Sequence, residues 1–462
     1  MIVIQRSRSL LQVFACGMLL SSLTFGQGIS WQPGPGGSRP QSPQNLQPTL
    51  QLDWALRYDH GVWNHDGFQA VAFDAQGNIF AVGGSLSGGP NYSYEVLCLK
   101  VAPTGSILWE RRYDSPGSGF DDGAVDLVVA PDGAVTVLAE GPGSTSDQDV
   151  LLFRYDPQGN LIWQTVWDHY WSDSAEAVVQ ASDGSLYVLA HSYTVGSVTD
   201  VVLLKYSDDG VLLWERFYHG GYGTDSAVDL GLDSQENVLL AGYSIAPGMS
   251  TNFDWLGLKY DANGQLLWST TIAGAIGWPD YCWGMAVSPQ DELLMTGYLV
   301  NNTGIQDYTT ACLDSSGNLL WLRSEGTGTG GGQKIMADPS GRVISVGGST
   351  MVAFDSAGNR LWNQIFGAPG LSSGSAKAVA LHPRGDILVG GSIWEGSLGT
   401  QYFLLAADPL NGTVLSTAVY GTANFESPAS GGLEVHPSGK ILQVGSSPNS
   451  HDNDGLLLQY RY

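Results

Sequence analysis

The stretch "DPQGNLIW", Asp156–Trp163, recurs in related form along the whole chain. It joins a turn sequence, in which Pro presets φ and Gly supplies positive φ, to an apolar run that ends in tryptophan. The related stretches are "APTGSILW" at 102–109, "SDDGVLLW" at 207–214, "DANGQLLW" at 261–268, "DSSGNLLW" at 314–321, "DSAGNRLW" at 355–362 and a degenerate "DPLNGTVLS" at 408–416. This regular recurrence indicates a repeat protein.

The tryptophan belongs to a longer repeating unit. It recurs at intervals of 41–55 residues, at Trp54, Trp109, Trp163, Trp214, Trp268, Trp321 and Trp362, and Ser416 takes the eighth position. Each unit holds four short apolar segments, which in the second unit span 124–130, 134–141, 149–156 and 160–167. Their Val, Leu, Thr and aromatic content predicts β-strands.

Turn sequences connect these strands in pairs. The first and second strands are joined by stretches such as "APDG" and "HPSG", and the third and fourth by stretches such as "DPQG" and "DSSG". These are typical of tight hairpin turns. Each unit is therefore predicted to be a four-stranded antiparallel blade. Eight such units predict an all-β fold, an eight-bladed β-propeller with Trp163 and its equivalents sealing one blade against the next.

The two ends of the repeat region complement each other. The first segment, "LDWALRYD", is a fourth strand without its first three, and the last unit has three strands and no fourth. We therefore expect the N-terminal strand to complete the last blade and close the ring, which leaves no open sheet edge. Only the short sixth unit, Gln333–Phe366, could be an insertion that reduces the count to seven.

The N-terminal segment predicts export. Arg6 and Arg8 precede an apolar run, a pattern typical of a signal peptide over residues 1–26. Residues 27–50, rich in Pro, Gly, Ser and Gln, are predicted to be a linker, and 51–462 a single propeller domain. No later apolar run approaches membrane length. We expect a secreted, periplasmic or cell-surface protein, without membrane insertion, that is a monomer.

Composition excludes some partner classes. The net charge is −25, and loss of residues 1–26 makes it −27. Nucleic acids and anionic membrane surfaces require clustered Lys and Arg, so neither is an expected partner. The cysteines left in the mature chain, Cys98, Cys282 and Cys312, have no metal-ligand spacing, and we expect buried free thiols. Cys98 in "VLCLK" and Cys312 in "TACLD" are expected at equivalent positions.

The repeats resemble known families. The segments "DDGAVDLVVAPDGAVTVLAEG" and "DVLLFRYDPQGNLIW" are similar to bacterial exported propeller repeats of the SBBP and delta-sixty kinds, and "VHPSGKILQVGSS" fits the delta-sixty kind well. The D-x-x-G-x-x-x-W element resembles the tryptophan-docking repeat of quinoprotein-like propellers. The resemblance covers residues 51–462 and implies architecture rather than activity. Quinoprotein dehydrogenases carry an adjacent cysteine pair, which this chain lacks, so no quinone or other cofactor is expected.

Loop lengths distinguish the two faces of the predicted disc. The second-to-third and blade-to-blade loops are long and lie together on one face, here called the long-loop face, whereas the other turns are short. Binding residues collect on variable loops of rigid scaffolds. The candidate ligand-binding residues of this face are Trp63, Trp171, Tyr222, Trp278 and Trp394. For each, packing of the loop itself is an equally good interpretation.

The first strands line the predicted central channel, where two columns break the repetition. The candidate ligand-binding residues there are Asp126, Glu176, Trp283, Lys334 and Lys377. In an eight-blade ring, Glu176 is expected to look across at Lys377, and Asp126 towards Lys334. Because side chains alternate along a strand, only one column fully faces the channel.

Other sequence patterns predict neither a metal site nor a catalytic site. Four histidines, with Asp66, Asp168 and Asp173, come from different blades without chelating spacing, so no metal site is predicted. The aspartates that begin successive first strands are expected to bond loop backbone. No catalytic motif is present, and no catalytic residue is predicted. The sequence favours a non-catalytic scaffold that binds a glycan or protein. The alternatives are a lyase or glycosidase using channel carboxylates such as Asp126 and Glu176, and a structural module.

Overall fold

The computed structural model describes residues 48–61, 65–86, 93–116, 121–142, 147–169, 171–194, 198–220, 223–245, 252–275, 277–327, 330–366, 374–394, 399–421, 427–448 and 453–462. The regular elements in these ranges are β-strands. In this part of the chain, no helix has the length and hydrophobicity needed to cross a membrane.

The first sixteen strands are β1 Gln51–Tyr58, β2 Asp66–Phe73, β3 Ile79–Leu86, β4 Tyr94–Val101, β5 Ile107–Tyr113, β6 Gly123–Val129, β7 Val135–Pro142, β8 Gln148–Tyr155, β9 Leu161–Trp167, β10 Asp173–Gln180, β11 Leu186–Thr194, β12 Val198–Tyr206, β13 Leu212–Tyr218, β14 Asp225–Leu232, β15 Val238–Ile245 and β16 Phe253–Tyr260. The second sixteen are β17 Leu266–Ile272, β18 Tyr281–Val287, β19 Leu293–Val300, β20 Gln306–Leu313, β21 Leu319–Thr327, β22 Lys334–Ala337, β23 Val343–Gly347, β24 Thr350–Phe354, β25 Arg360–Ile365, β26 Gly374–Leu381, β27 Ile387–Trp394, β28 Thr400–Ala407, β29 Val414–Tyr420, β30 Ser427–Val435, β31 Lys440–Pro448 and β32 Asn453–Arg461.

These strands form eight four-stranded antiparallel sheets. Blade 1 is β2–β5, and each following blade takes the next four strands, up to blade 7 with β26–β29. Blade 8 combines β30–β32 with β1, which pairs with β32 from Gln51 opposite Arg461 to Tyr58 opposite Gly455. The predicted fold and its closure by the N-terminal strand are confirmed. The short sixth unit also forms a complete blade, so the count is eight.

The hydrophobic core lies between the blades. Among the described residues, buried apolar side chains form eight clusters, and each cluster draws on two adjacent blades. The first strands contact one another around the ring, with β2 between β6 and β30. This arrangement suits the nearly continuous apolar runs of the inner strands, because both faces of each blade are covered by a neighbour.

The repeated tryptophan is a packing residue between blades. Trp163 Nε1 donates to the carbonyl of Asp208, in the third-to-fourth turn of the next blade, at 3.0 Å. A Cβ built on Gly210 of that turn would lie only 2.6 Å from the Trp163 ring, and its φ of 82° is in the left-handed region. Glycine is therefore required where the ring packs. The same contact joins Trp54 to Gly105, Trp109 to Gly159, Trp214 to Gly264, Trp268 to Gly317, Trp321 to Gly358 and Trp362 to Gly412.

The three cysteines within the described residues are buried free thiols, as expected. The expected equivalence of Cys98 and Cys312 is wrong, however. Cys98 pairs with Arg111, whereas Cys312 pairs with Trp321, the repeated tryptophan of its blade. The residue opposite Trp109 in blade 1 is Lys100, so the two thiols lie two positions apart in the repeat. The shared "CL" dipeptide suggested a false alignment of the third strands.

Candidate functional site

The long-loop face is built from the ends of second and fourth strands and the starts of first and third strands. The opposite face carries short turns such as Asp156–Asn160, where the Gly159 N–H donates to the Asp156 carbonyl at 2.9 Å and Asp156 Oδ1 accepts the N–H of Asn160 at 2.8 Å. Such turns leave little backbone free for recognition. A ligand site therefore has to be sought at the long-loop ends or in the channel.

In six blades the first strand carries a β-bulge. The bulge lies in the first of the two predicted channel columns, the one that contains Glu176 and Lys377. The bulged residue has no partner in the second strand, so its side chain is released from the regular alternation. The bulged residues are Gln69, Val125, Glu176, Val228, Trp283 and Lys377, and all are at least partly exposed. In these blades the next column is buried. A single exposed column on the innermost strands agrees with the prediction.

Asp126 belongs to the buried column. Only 4% of its surface is exposed, and its Oδ2 accepts the N–H of Val178 in the next blade at 3.0 Å. Lys334 aligns with the same column through its pairing with Val346 and is half-buried. Glu176 and Lys377 occupy bulges of blades 3 and 7. The carboxylates of Asp126 and Glu176 are thus in different columns, and Asp126 has a structural partner between blades.

Three of the predicted tryptophans present their rings to solvent on the long-loop face. Trp171 lies between β9 and β10 and is 56% exposed, Trp278 lies between β17 and β18 and is 53% exposed, and Trp394 ends β27 and is 43% exposed. Trp63 and Tyr222 lie outside the described residues. The three described rings come from separate parts of the ring of blades, so each marks its own patch.

An aromatic cluster that sequence reasoning missed runs from the channel towards the long-loop ends of blades 4 and 5. It consists of Tyr243, Phe253, Tyr281, Trp283 and Tyr298, from β15, β16, β18 and β19. Trp283, the channel residue of blade 5, meets Tyr298 edge-on with ring centroids 5.0 Å apart, and Tyr298 lies 5.7 Å from Tyr281. Tyr281 in turn lies 4.8 Å from Tyr243 and 5.3 Å from Phe253.

The aromatic cluster is mostly half-buried, with Tyr298 buried. Burial raises the pKa of Tyr298 to about 12, so its hydroxyl stays protonated and available as a donor. Trp278 precedes Tyr281 by three residues, and its exposed ring lies beside Gly304 in the loop between β19 and β20. Rings with one accessible face and polar edges suit ligands that combine apolar and hydroxyl surfaces. The signal in the sequence was the local excess of Tyr and Trp in blades 4 and 5.

The aspartates that begin first strands bond loop backbone, as predicted. The Oδ2 atoms of Asp66, Asp122, Asp173, Asp225 and Asp280 accept N–H groups from His60, Ser115, His169, Gly220 and Gly274 at 2.5–2.9 Å. Burial raises the pKa values of Asp122, Asp173 and Asp280 to about 6, despite the hydrogen bonds that lower them. These carboxylates fasten each blade-to-blade loop to the first strand that follows it.

The histidines considered as metal ligands are spread over different contacts. His219 Nδ1 lies 2.9 Å from Asp200 Oδ1, His169 Nδ1 lies 3.2 Å from Ser192 Oγ, and His65 Nδ1 accepts the N–H of Asn453 at 3.2 Å. These three imidazoles therefore do not share one site.

Two of the carboxylates considered with them do converge, together with a third that sequence reasoning missed. Asp168 and Asp173 each offer an oxygen within 4.8 Å of one from Asp149, and we call these three residues the carboxylate cluster. Asp149 and Asp173 are buried and Asp168 is exposed. The sequence signal that could have found Asp149 is the third-strand pattern shared by "DVLLF" and "DVVLL", in which Asp149 aligns with Asp200.

Comparison with known proteins gives structural neighbours but no family. No known family profile matches the chain, and no curated protein sequence matches it. The SBBP and delta-sixty resemblance therefore remains a prediction. Structural neighbours include the WD40 domain of SCAP from fission yeast (8% identity, 89% of this chain and 98% of that chain, TM-score 0.45) and a europium-containing methanol dehydrogenase (13%, 77% and 87%, 0.42).

A protein of unknown function from Dyadobacter fermentans is also similar, at 10% identity over 90% of this chain and 99% of that chain, with a TM-score of 0.41. All three TM-scores lie below 0.5, so these similarities carry no argument about either the fold or the activity of this chain. The assignment of an eight-bladed propeller rests on the strand topology itself.

Proposed function

We propose that this protein is an exported, non-catalytic binding scaffold whose ligand is a glycan that docks on the long-loop face at the aromatic cluster. The observation that carries the proposal is the continuous series of rings from Trp283 in the channel to Tyr243 and Phe253 at the long-loop ends of β15 and β16. Apolar ring faces pack against the C–H faces of sugars, and tyrosine hydroxyls bond sugar hydroxyls.

Rigidity of the scaffold favours this function. The strands beneath the cluster are packed between neighbouring blades, so the rings are held in place before a ligand arrives. Pre-organisation of this kind lowers the entropy cost of binding. The competing glycosidase or lyase mechanism receives no support from the geometry, because it needs two carboxylates facing one substrate and Asp126 is buried between blades.

The test is a glycan array probed with the labelled protein, followed by calorimetric titration of the glycans that bind. Trp278→Ala and Trp283→Ala are expected to weaken binding at least about tenfold, the value of one well-packed ring. Leu410→Ala is the matched control, because Leu410 is 74% exposed in a short turn on the opposite face. Thermal melting of each variant checks that the fold is retained.

Three outcomes would contradict the proposal. Binding that is unchanged in both tryptophan variants would place the ligand elsewhere. Release of products from a polysaccharide panel would show an enzyme. An array without binding, together with capture of a peptide that the tryptophan variants lose, would show a protein-binding scaffold instead.

A further inference from the structure

Blade 6 is shorter than its neighbours at the long-loop end. Its second strand, β23, has five residues, whereas β19 of blade 5 and β27 of blade 7 have eight. In all three strands the residue opposite the second channel column is the fourth of the strand, so the strands begin at the same level. β23 therefore ends three residues early, which lowers the long-loop edge of blade 6 by roughly 10 Å.

The shortened end of blade 6 holds the first strand of blade 7. Gly348 and Ser349 form the turn between β23 and β24. The N–H of Ala376 donates to the Gly348 carbonyl at 2.8 Å. Ser349 Oγ donates to the carbonyl of Gly374, also at 2.8 Å. These two bonds fix the backbone of β26 directly before Lys377, so the bulge that carries this side chain is positioned before a ligand arrives.

Blades 5, 6 and 7 present three different side chains in the exposed column of the channel. Trp283 of blade 5 and Lys377 of blade 7 lie at bulges and are partly exposed. Gln333, directly before β22 of blade 6, takes the column between them and is also partly exposed. The first strands of these blades contact one another in sequence. They therefore form one strip of channel wall that offers an aromatic ring, an amide and an ammonium group.

The charges of the channel wall are divided between two halves. The first strands of blades 2 to 4, β6, β10 and β14, contain Asp and Glu but neither Lys nor Arg. Those of blades 5 to 7, β18, β22 and β26, contain Lys334 and Lys377 but neither Asp nor Glu. A wall of one sign concentrates ligands of the opposite sign. The half that carries Trp283 therefore favours an anion, although the net charge of the whole chain is −25.

Lys377 is the cation of this wall that can meet a ligand directly. Lys334 is engaged within the protein. Among the described residues, the ammonium group of Lys377 has no hydrogen bond, ion pair or ring contact, and Glu176 across the channel makes no ion pair with it. By contrast, Lys259 Nζ lies 2.8 Å from Asp233 Oδ2. Lys377 thus keeps its full capacity for a charge-assisted bond to an anionic group.

We propose that the ligand of the binding scaffold is an anionic oligosaccharide, which stacks on Trp283 and places a carboxylate or sulfate group on Lys377. This inference rests on the proposed function and specifies the ligand class of the same site. Packed sheets lie ~10 Å apart, and the two residues are two blades apart, so two or more sugar rings suit the pair better than one. Gln333 between them offers its amide to sugar hydroxyls, and the short strands of blade 6 do not screen this wall from the long-loop face.

The test is calorimetric titration with sets of matched oligosaccharides. The charged probes are oligogalacturonate and oligoalginate, the neutral probes are the same chains with their carboxylates reduced to alcohols, and the third set is the reduced chains after sulfation. We expect at least one charged form to bind at least about tenfold more tightly than its neutral counterpart, the effect of one charge-assisted bond. Carboxylate and sulfate forms distinguish the two anions. Added NaCl is expected to reduce the advantage, because salt screens the charges.

Substitutions separate the charge from the aromatic contact. Lys377→Met is expected to weaken binding of the charged probe at least about tenfold and to leave the neutral probe within about twofold, whereas Lys377→Arg keeps the preference. Trp283→Ala is expected to weaken both forms alike. Lys440→Met is the matched control, because Lys440 begins β31 at the opposite face and its loss should change neither affinity more than about twofold. Melting curves check that each variant is folded.

Four results would overturn the inference. Equal binding of charged and neutral forms, with both weakened by Trp283→Ala, would leave glycan binding intact but remove the anionic class. A preference for charged forms that survives in Lys377→Met would place the anion elsewhere. Absence of binding to every glycan, charged or neutral, would contradict the proposed function as well. Binding of poly-glutamate in place of glycans, lost in Lys377→Met, would show a site for acidic peptides.

Discussion

The N–H of Leu50 donates a hydrogen bond to Ser416 Oγ at 2.9 Å. Ser416 takes the place in β29 that tryptophan takes in the other seven fourth strands. Each of those tryptophans packs on the third-to-fourth turn of the next blade. Blade 8 has no such turn, because its third and fourth strands, β32 and β1, come from opposite ends of the chain. The missing eighth tryptophan is therefore a consequence of ring closure.

Substitution of Ser416 tests this explanation. Ser416→Trp is expected to lower the free energy of unfolding by about 1–3 kcal/mol, because the ring would crowd Leu50 without a turn to pack on. Ser416→Ala loses one hydrogen bond and should cost only about 1 kcal/mol. Urea unfolding of both variants measures the difference. A more stable Ser416→Trp protein would show that the closing blade accepts the ring after all.

Removal of β1 tests the closure of the ring. A chain that begins after Tyr58 exposes the edge of β32, and we expect aggregation or loss of a single cooperative unfolding transition. A chain that begins at residue 48 keeps β1 and is the control. Light scattering and calorimetry follow the two chains. If both melt alike, closure by the N-terminal strand does not stabilise the ring.

Two glycines separate backbone strain from tryptophan packing. Gly210 has a φ of 82° and faces the Trp163 ring, whereas Gly385 has a φ of 93° and no atom within 4 Å of an added Cβ. Gly385→Ala should cost about 1–2 kcal/mol from the left-handed backbone alone. Gly210→Ala should cost about 1–3 kcal/mol more, because the ring must move. Equal losses of unfolding free energy, measured in guanidinium, would show that the tryptophan contact does not stabilise the fold.

His191 predicts a pH dependence of stability. It is buried, its Nε2 accepts the N–H of Ala227 at 3.1 Å, and burial lowers its pKa from 6.5 to about 4. The unfolded chain then binds a proton before the folded one does. Stability from this group is complete above pH 6.5 and is lost as the pH falls through about 4, by about 3 kcal/mol in all.

The buried first-strand aspartates act in the opposite direction. The pKa values of Asp122, Asp173 and Asp280 are raised to about 6, so their contribution is complete below about pH 3.8 and is lost as the pH rises through 6. The effect of His191 is therefore measured as the difference between the pH profiles of the parent and of a variant that does not titrate at this position. His191→Gln keeps an acceptor for the Ala227 N–H without titrating, and its unfolding free energy should fall less than that of the parent between pH 6.5 and 4. Parallel pH profiles would contradict this.

Much of the architecture was predictable because it depends on local sequence. The period of the apolar segments, the turn residues and the recurrent tryptophan predicted eight blades, their strand order and the closing strand. The bulged column of the channel was only partly predictable. A bulge changes which side chain of a strand is exposed. Glu176 and Asp126 belong to adjacent columns of the sequence pattern, and in the structure Glu176 is partly exposed whereas Asp126 is buried.

The candidate sites were decided by the tertiary structure. Asp149 and Asp168 lie together because β8 pairs with β9 within blade 2, and only the packing of blade 2 against blade 3 adds the carboxylate of Asp173. Likewise Tyr281 and Tyr298 are a cross-strand pair of blade 5, and Tyr243 meets Tyr281 only because blades 4 and 5 lie side by side. The sequence by itself determined the repeating unit, because hairpins form from neighbouring residues. The ring decided which residues of different units share a site, because that depends on contacts between blades that no local pattern records.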